Sequence, residues 1–326
     1  MSLPVARRRA LIFGISGQDG ALLARLLLTK GYEVFGASRD AETQSFANLQ
    51  RLGIRDRVER RVELISVSLL DFRSVLQSIA RVRPDEIYNL AGQSSVGLSF
   101  DQPVETFDSI SVATLNLLEA IRFHDSAIRV YNACSSECFG NTPQPADENT
   151  PMRPRSPYAV AKAAAFWQVA NYREGYGLYC ASGVLFNHES PLRPERFVVQ
   201  KTVQAATRIA NGSTEKLELG NLAVIRDWGW APEYVDAMWR MLQQPIAEDF
   251  VVATGTSCSL QTLVEDIFCQ LGLDWRQHVT YNPTLSRPTD LLESRANPSR
   301  AAEVLGWRAR VQTSEIVRHM LDRNTI

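Results

Sequence analysis

Seven residues, Gly14-Ile-Ser-Gly17-Gln-Asp-Gly20, join a short apolar run, Ala10-Leu-Ile-Phe13, to an apolar-periodic stretch from about Ala21 to Leu28. A run too short for a helix, then closely spaced glycines, then helical periodicity predicts strand, tight turn and helix. Gly14 permits the turn, Gly17 lets a pyrophosphate approach the backbone, and Gly20 allows close packing of helix on strand. The start of the helix then offers free N–H groups and the positive end of its dipole to an anion. By itself the triplet is also compatible with an ordinary strand–helix turn, so its weight depends on the elements that succeed it in the chain.

Those elements alternate. Strands are predicted at 33–37, 62–67, 86–89, 129–133 and 178–186, with helices near 43–52, 72–79, 104–123 and 156–173. Past 186 the alternation stops, and helices are predicted near 198–210, 234–242, 260–271, 298–305 and 313–320. The expected fold is α/β: a Rossmann-type doubly wound parallel sheet over 1–186, with about 221–252 returning to it, and a smaller, mainly helical C-terminal substrate domain over 187–326. A chain of 326 residues is long enough for both. Its net charge of −1 gives no basic surface for nucleic acid or an anionic membrane. Cys134, Cys138, Cys180, Cys258 and Cys269 match no zinc spacing and read as reduced thiols. His124, His188, His278 and His319 are scattered, so no metal is expected. The basic N-terminus has no apolar stretch behind it, and a soluble, cytoplasmic protein is expected.

The chemistry gathers around the fifth predicted strand. Ser135 and Glu137 lie just past its end, and Tyr158 and Lys162 lie four apart, on one face of the next helix. A phenol with a reference pKa of about 10 must lose about three units to act as a base near neutral pH, roughly 4 kcal/mol of phenolate stabilisation. A lysine ammonium and an oxidised nicotinamide both act in that direction, and Ser135 can bond the same substrate oxygen as Tyr158. Glu137 is surplus to alcohol oxidation. Its use would be removal of a proton alpha to a new ketone; the alternative is a loop cap or a pair with an arginine such as Arg153. Asn141 to Pro157 is too proline-rich for a helix or central strand and reads as a loop able to close over a substrate. At the end of the second strand, Arg39 favours the 2′-phosphate of NADP, and the adjacent Asp40 favours the ribose of NAD. NADP is preferred, with NAD as the alternative.

The G-x-x-G-x-x-G spacing suits the short-chain dehydrogenase/reductase superfamily. Together with Tyr88-Asn-Leu-Ala-Gly-Gln-Ser94, Ser135-Ser-Glu137, Pro154-Arg-Ser-Pro-Tyr158-x-x-x-Lys162, Leu185-Phe-Asn-His-Glu-Ser-Pro191 and Arg226-Asp-Trp-Gly229, the chain resembles GDP-mannose 4,6-dehydratases, extended members of that superfamily, from about residue 10 to Trp307. The resemblance implies oxidation of a GDP-hexose at C4, loss of water across C5 and C6, and hydride return to C6. It implies cofactor contacts at Gln18, Asp19, Leu90, Ala91 and His188 besides the glycines, Arg39, Tyr158 and Lys162. It implies substrate contacts at Ser94, Asn187, Lys201, Arg226, Arg287 and Asp290, of which Lys201 and Arg226 suit a diphosphate. It also implies a homodimer or homotetramer.

Four stretches depart from the family pattern. Asp40 stands where a second arginine is common, Ser68 replaces an adenine-side aspartate, Leu292 replaces an aspartate, and Arg193-Pro-Glu-Arg196 replaces an Arg-Gly run. Those near the sugar leave a GDP-manno-heptose as an alternative substrate. A nucleotide-sugar epimerase would share Ser135, Tyr158 and Lys162 but would not call for Glu137. A dTDP-glucose dehydratase would show an Asp-Glu pair in place of Ser136-Glu137. A non-catalytic, cofactor-sensing protein would have no reason to keep all four groups.

Overall fold

The computed structural model describes residues 7–55, 62–285 and 287–322. The chain forms two compact units and passes between them several times. Met1–Cys134, Pro157–Val184 and Val235–Asp249 make the first; Ser135–Ser156, Leu185–Tyr234 and Phe250–Ile326 make the second.

The first unit opens with β1 (Arg9–Phe13), α1 (Gln18–Thr29), β2 (Glu33–Ser38), α2 (Ala47–Arg51), β3 (Glu63–Ser66), α3 (Phe72–Val82) and β4 (Glu86–Asn89). It continues through α4 (Val96–Asp101), α5 (Pro103–Phe107), α6 (Ala113–His124) and β5 (Arg129–Ser135). The chain then gives β6 (Thr142–Ala146) to the second unit and returns for α7 (Pro157–Tyr176) and β7 (Cys180–Leu185). Strands β3-β2-β1-β4-β5-β7 lie in that order. The β3–β2, β2–β1, β1–β4 and β4–β5 pairs are all parallel. Strands of such a sheet are covered on both faces, hence the nearly unbroken burial of β1, β4 and β5. Leu11, Phe13, Ile79, Leu117, Val130 and Val169 lie in its core. The order reverses at β1, between β2 and β4, with Phe13 opposite Asn89. The carboxyl ends there form the crevice in which ligands of doubly wound sheets sit.

The helix predicted over 104–123 is interrupted. Between α5 and α6, Asp108–Val112 form a π turn, and Thr114 Oγ1 donates to the Ile110 carbonyl at 2.7 Å. Each flanking helix keeps its own 3.6-residue period, and the single π turn between them is too short to show one of its own.

The second unit holds β8 (Asn187–Glu189), α8 (Val198–Ala210), β9 (Leu217–Leu219), β10 (Ile225–Trp230) and the start of α9 (Ala231–Met241). It ends with β11 (Phe250–Val252), β12 (Ser257–Ser259), α10 (Leu260–Gln270), β13 (Val279–Tyr281), β14 (Glu293–Ala296), α11 (Ser299–Leu305) and α12 (Thr313–Leu321). Strands β12-β10-β14-β6 form a sheet to which β8 adds on β10, and β9 pairs with β13. Its helices lie close to the predicted positions. Its strands are absent from the sequence reading because most are three or four residues long, too short to display a period of two. Their packing against α8, α10 and α12 is carried by Val203, Trp228, Val264, Ile267, Phe268 and Val317.

The proline-rich segment also needs correction. Its first part is β6, an edge strand parallel to β14, where proline's missing N–H is tolerated. The rest is tied down within the unit. Asn141 Oδ1 accepts from the Leu292 N–H at 2.7 Å, Arg153 N donates to Cys138 O at 2.8 Å, and Thr289 Oγ1 donates to Arg155 O. It is a docked strap rather than a free loop.

At the amino-terminal edge of the first sheet, the buried Glu86 carboxylate accepts from Tyr88 OH at 2.8 Å, Tyr32 OH at 3.0 Å and Gln243 Nε2 at 3.0 Å, with Arg8 at 3.2 Å. Truncating it strands several buried donors at once. Glu86→Ala is expected to lower unfolding free energy by about 3 kcal/mol in denaturant titrations. A loss below about 1 kcal/mol would mean that these donors find other partners.

Candidate active site

In the first unit the glycine turn is built by backbone contacts. Gly14 has φ +84°, and a Cβ there would lie 2.7 Å from the Leu90 carbonyl and 2.9 Å from Ala91 N. The turn after β1 therefore touches the exit of β4, where Leu90 N donates to Phe13 O at 3.0 Å. A Cβ on Gly20 would lie 2.3 Å from Gly14 O. The helix begins earlier than predicted, with Gly17 as its N-cap and no side chain capping it. Gln18, buried in its first turn, donates to Asp19 Oδ1 at 2.9 Å. A backbone cradle that admits no side chain, at an uncapped helix N-terminus, suits a dinucleotide pyrophosphate.

At the end of β2, Asp40 is engaged by its own turn, accepting from Glu42 N at 2.9 Å, Thr43 N at 3.0 Å and Thr43 Oγ1. Arg39 beside it is exposed and makes no hydrogen bond or ion pair with a described residue. At the exit of β4, Gln93 Nε2 donates to Ser95 O at 2.8 Å, and Gln93 N donates to Ser109 Oγ of the π turn at 3.2 Å. Ser94 is exposed in this loop.

Tyr158 occupies the first turn of α7, buried against Ile110 of the π turn and Ala161 and Ala165 of its own helix. Lys162, one turn on, is also buried and donates from Nζ to Ala133 O at 2.7 Å. Its ammonium lies 5.9 Å from the centre of the Tyr158 ring. Helical spacing thus places phenol and ammonium on one face, while a strand carbonyl aims the lysine.

In the second unit, Ser135 caps a 3-10 turn over Ser136–Phe139, its Oγ accepting from Glu137 N at 3.3 Å. That turn carries the Glu137 side chain into a mostly buried position. Burial pushes its pKa above that of an ordinary glutamate, against the pull of Arg287 and Arg226. The arginine beside it is not Arg153: Arg287 Nη1 lies 3.8 Å from Glu137 Oε1 and 3.7 Å from Asp290 Oδ1. Arg226 lies 3.6 Å from the same Asp290 oxygen and donates to Leu291 O at 2.8 Å and Ile225 O at 2.9 Å. Glu137, Arg287, Asp290 and Arg226 therefore form a row of alternating charge.

Two of the sequence motifs are neighbouring strands. In the β8–β10 pair, Asn187 faces Trp228 and His188 faces Gly229. His188 is buried, bonds Phe186 O through Nδ1 at 2.7 Å and stacks on Tyr234 at 4.6 Å. A Cβ on Gly229 would lie 2.2 Å from that tyrosine ring, which accounts for the glycine. Lys201, on α8, donates from Nζ to Glu218 O at 2.8 Å.

Two residues that lie within stretches singled out from sequence were given no role there. Asp227 is buried and accepts from Thr254 N and Oγ1, both at 2.9 Å, and from Gly255 N at 2.8 Å. Burial pushes it up to about 6 despite these donors. Arg193 lies 3.5 Å from the buried Glu189 and stacks on Phe197 at 3.8 Å. The signal for Asp227 was its place between the arginine and tryptophan of Arg226-Asp-Trp-Gly229. For Arg193 it was the altered run around it.

The architecture is that of the extended short-chain dehydrogenase/reductases, and solved structures that share it include a nucleotide-sugar dehydratase and a nucleotide-sugar epimerase. The chain matches dTDP-glucose 4,6-dehydratase of Streptomyces venezuelae at TM-score 0.85 and 22% identity, covering 96% of this chain and 95% of that one. It matches UDP-glucose 4-epimerase of Thermus thermophilus at TM-score 0.82 and 25% identity, covering 98% and 100%. Sequence comparison narrows the class. The family model for GDP-mannose 4,6 dehydratase matches residues 11–320. GDP-mannose 4,6 dehydratase 1 of Arabidopsis thaliana is 43% identical over 98% of this chain and 90% of the relative. GDP-mannose 4,6-dehydratase of Sinorhizobium fredii is 40% identical over 97% and 96%. The chain belongs to the GDP-mannose 4,6-dehydratase family.

Proposed function

We propose that this chain converts GDP-mannose to GDP-4-keto-6-deoxymannose, with Tyr158, Lys162 and Ser135 serving the oxidation and Glu137 the dehydration. Family membership supports the reaction. The observation that carries the assignment of roles is Glu137: a largely buried carboxylate two residues beyond the hydroxyl of Ser135, which oxidation or epimerisation alone does not need. Tyr158 takes the proton from the C4 hydroxyl, with Lys162 favouring the phenolate and Ser135 bonding the same oxygen. The resulting ketone acidifies C5. Glu137 takes the C5 proton, the electrons of that C–H bond form the C5–C6 double bond, and the C6 hydroxyl leaves as water with the proton Glu137 returns. What a nicotinamide cofactor supplies when bound is a hydride sink and source, hydride lost at C4 being regained at C6, while C5 takes up a proton equivalent to the one Tyr158 removed from the C4 hydroxyl. Arg226 and Arg287 serve the diphosphate, Asp290 the nucleotide ribose, and Asn187 and Lys201 further parts of the GDP-sugar, so the second unit acts as the substrate domain.

The test is product analysis with GDP-mannose: loss of one water by mass, with no net NADPH. Unchanged mass with an inverted carbon would favour an epimerase. In Glu137→Gln, dehydration is expected to fall by at least about a hundredfold while NADPH absorbance appears transiently. Full activity would remove Glu137 from the reaction. Because Glu137 must be ionised to accept the C5 proton and burial raises its pKa, wild-type activity is lost on acidification at higher pH than an ordinary glutamate would dictate.

The cofactor assignment is NADP. Asp40 is committed to its turn, which leaves Arg39 as the free charge at the end of β2. Arg39→Ala should weaken NADP binding about tenfold and leave NAD binding nearly unchanged, as read by fluorescence titration. Equal losses for both would point to a structural role.

The assembly assigned is a homodimer, or a tetramer built from it. On the mutually packed α5 and α7, Val104, Phe107, Val160 and Trp167 are exposed, an apolar surface suited to a two-fold interface. Light scattering at micromolar concentration should give at least twice the chain mass, and Trp167→Glu should lower it. A wild-type monomer would overturn the assignment. Among the described residues no helix is long and apolar enough to cross a membrane. The compartment assigned is the cytoplasm, whose reducing conditions suit cysteines held as thiols.

A further inference from the structure

We propose that Arg287 is shared between Glu137 and the substrate's diphosphate: in the free enzyme it holds the carboxylate, and nucleotide binding draws it away, so that Glu137 becomes a strong base only when the site is filled. The inference rests on the GDP-sugar reading above and adds a means of timing to it.

The two arginines of the charged row are held in different ways. Arg226 is buried, and its guanidinium is hydrogen-bonded to two backbone carbonyls. Arg287 has a side chain 36% exposed and sits 3.8 Å and 3.7 Å from its two carboxylate neighbours. Those separations are ion-pair distances beyond hydrogen-bond length. Arg226 is thus a fixed cation and Arg287 a movable one, held among the described residues by charge rather than by hydrogen bonds. A diphosphate offers a guanidinium bidentate, charge-assisted hydrogen bonds that neither Glu137 nor Asp290 makes with it here. The diphosphate therefore wins the competition for Arg287.

The consequence falls on Glu137. Within its unit the charged groups facing it are Arg287, Arg226 and Asp290, and the nearest hydroxyl is that of Ser135. Burial and Asp290 favour the proton on Glu137; the two arginines oppose it. Phosphate on the arginines cancels the opposing pair and leaves the favouring pair in place. Glu137 then holds a proton more tightly, as removal of one from C5 requires. A sugar lacking the nucleotide would leave the base weak.

The probe is GDP, added to the NADP-loaded enzyme. Infrared difference spectra across pH report the Glu137 carboxyl band, assigned by its disappearance in Glu137→Gln. Saturating GDP should raise the proton affinity of Glu137 about tenfold. In Arg287→Gln the affinity should already be high without GDP and move little on its addition. Arg287→Lys, which keeps the charge, should restore the wild-type value in the free enzyme. Melting curves check that each variant is folded. GDP that binds by calorimetry without moving the Glu137 titration overturns the shared-arginine proposal and leaves the dehydratase reading intact. A free Arg287→Gln enzyme titrating like wild type overturns it as well. Failure of GDP to bind at all overturns both.

Discussion

The first unit depends on a contact between backbones at the point where its sheet reverses order. Gly14 lies against the Leu90 carbonyl and Gly20 against Gly14, each closer than any side chain would allow. That closeness lets α1 begin immediately beyond β1, with Gly17 as a bare cap. The same contact brings the exit of β4 beside the turn, so two loops from separate strands share one crevice. Nothing in it is a strong bond. It is an exclusion, enforced by the absence of Cβ atoms, and it sets the start of the helix against that crevice.

The second unit solves a different problem, the placing of charges in a partly dry environment. Asp227 and Arg226 alternate along β10, so their side chains leave opposite faces. Asp227 is answered by backbone donors after β11, Arg226 by backbone carbonyls and Asp290. Each buried charge has a partner, as the cost of isolating it demands. Glu137 is the exception in degree. It is mostly buried, and among the described residues its ion-pair partner, Arg287, lies beyond hydrogen-bond length, which is how a carboxylate with chemical work to do differs from one with a structural task.

Much of the first unit was legible because each of its signals is local. Parallel strands buried on both faces read as apolar runs, and the glycines and the four-residue spacing of Tyr158 and Lys162 have direct geometric meaning. The short strands of the second unit were not legible. A three-residue strand such as β8 has no periodicity of its own, and it forms because β10 offers it a ladder. The proline-rich strap was misread for the same reason: its composition argues against a central strand, but only β14 makes it an edge strand.

By itself the sequence determined which chemical groups are present and the local spacing that puts phenol and ammonium on one helical face. It also determined the glycine positions where no side chain fits. Tertiary structure decided the partners. Arg287 rather than Arg153 lies beside Glu137, Asp40 turns its carboxylate onto its own loop, and Lys162 reaches the carbonyl of Ala133. Propensity and periodicity act over a few residues, whereas the field at a buried carboxylate is set by whichever charges folding brings within a few ångströms, however distant in the chain.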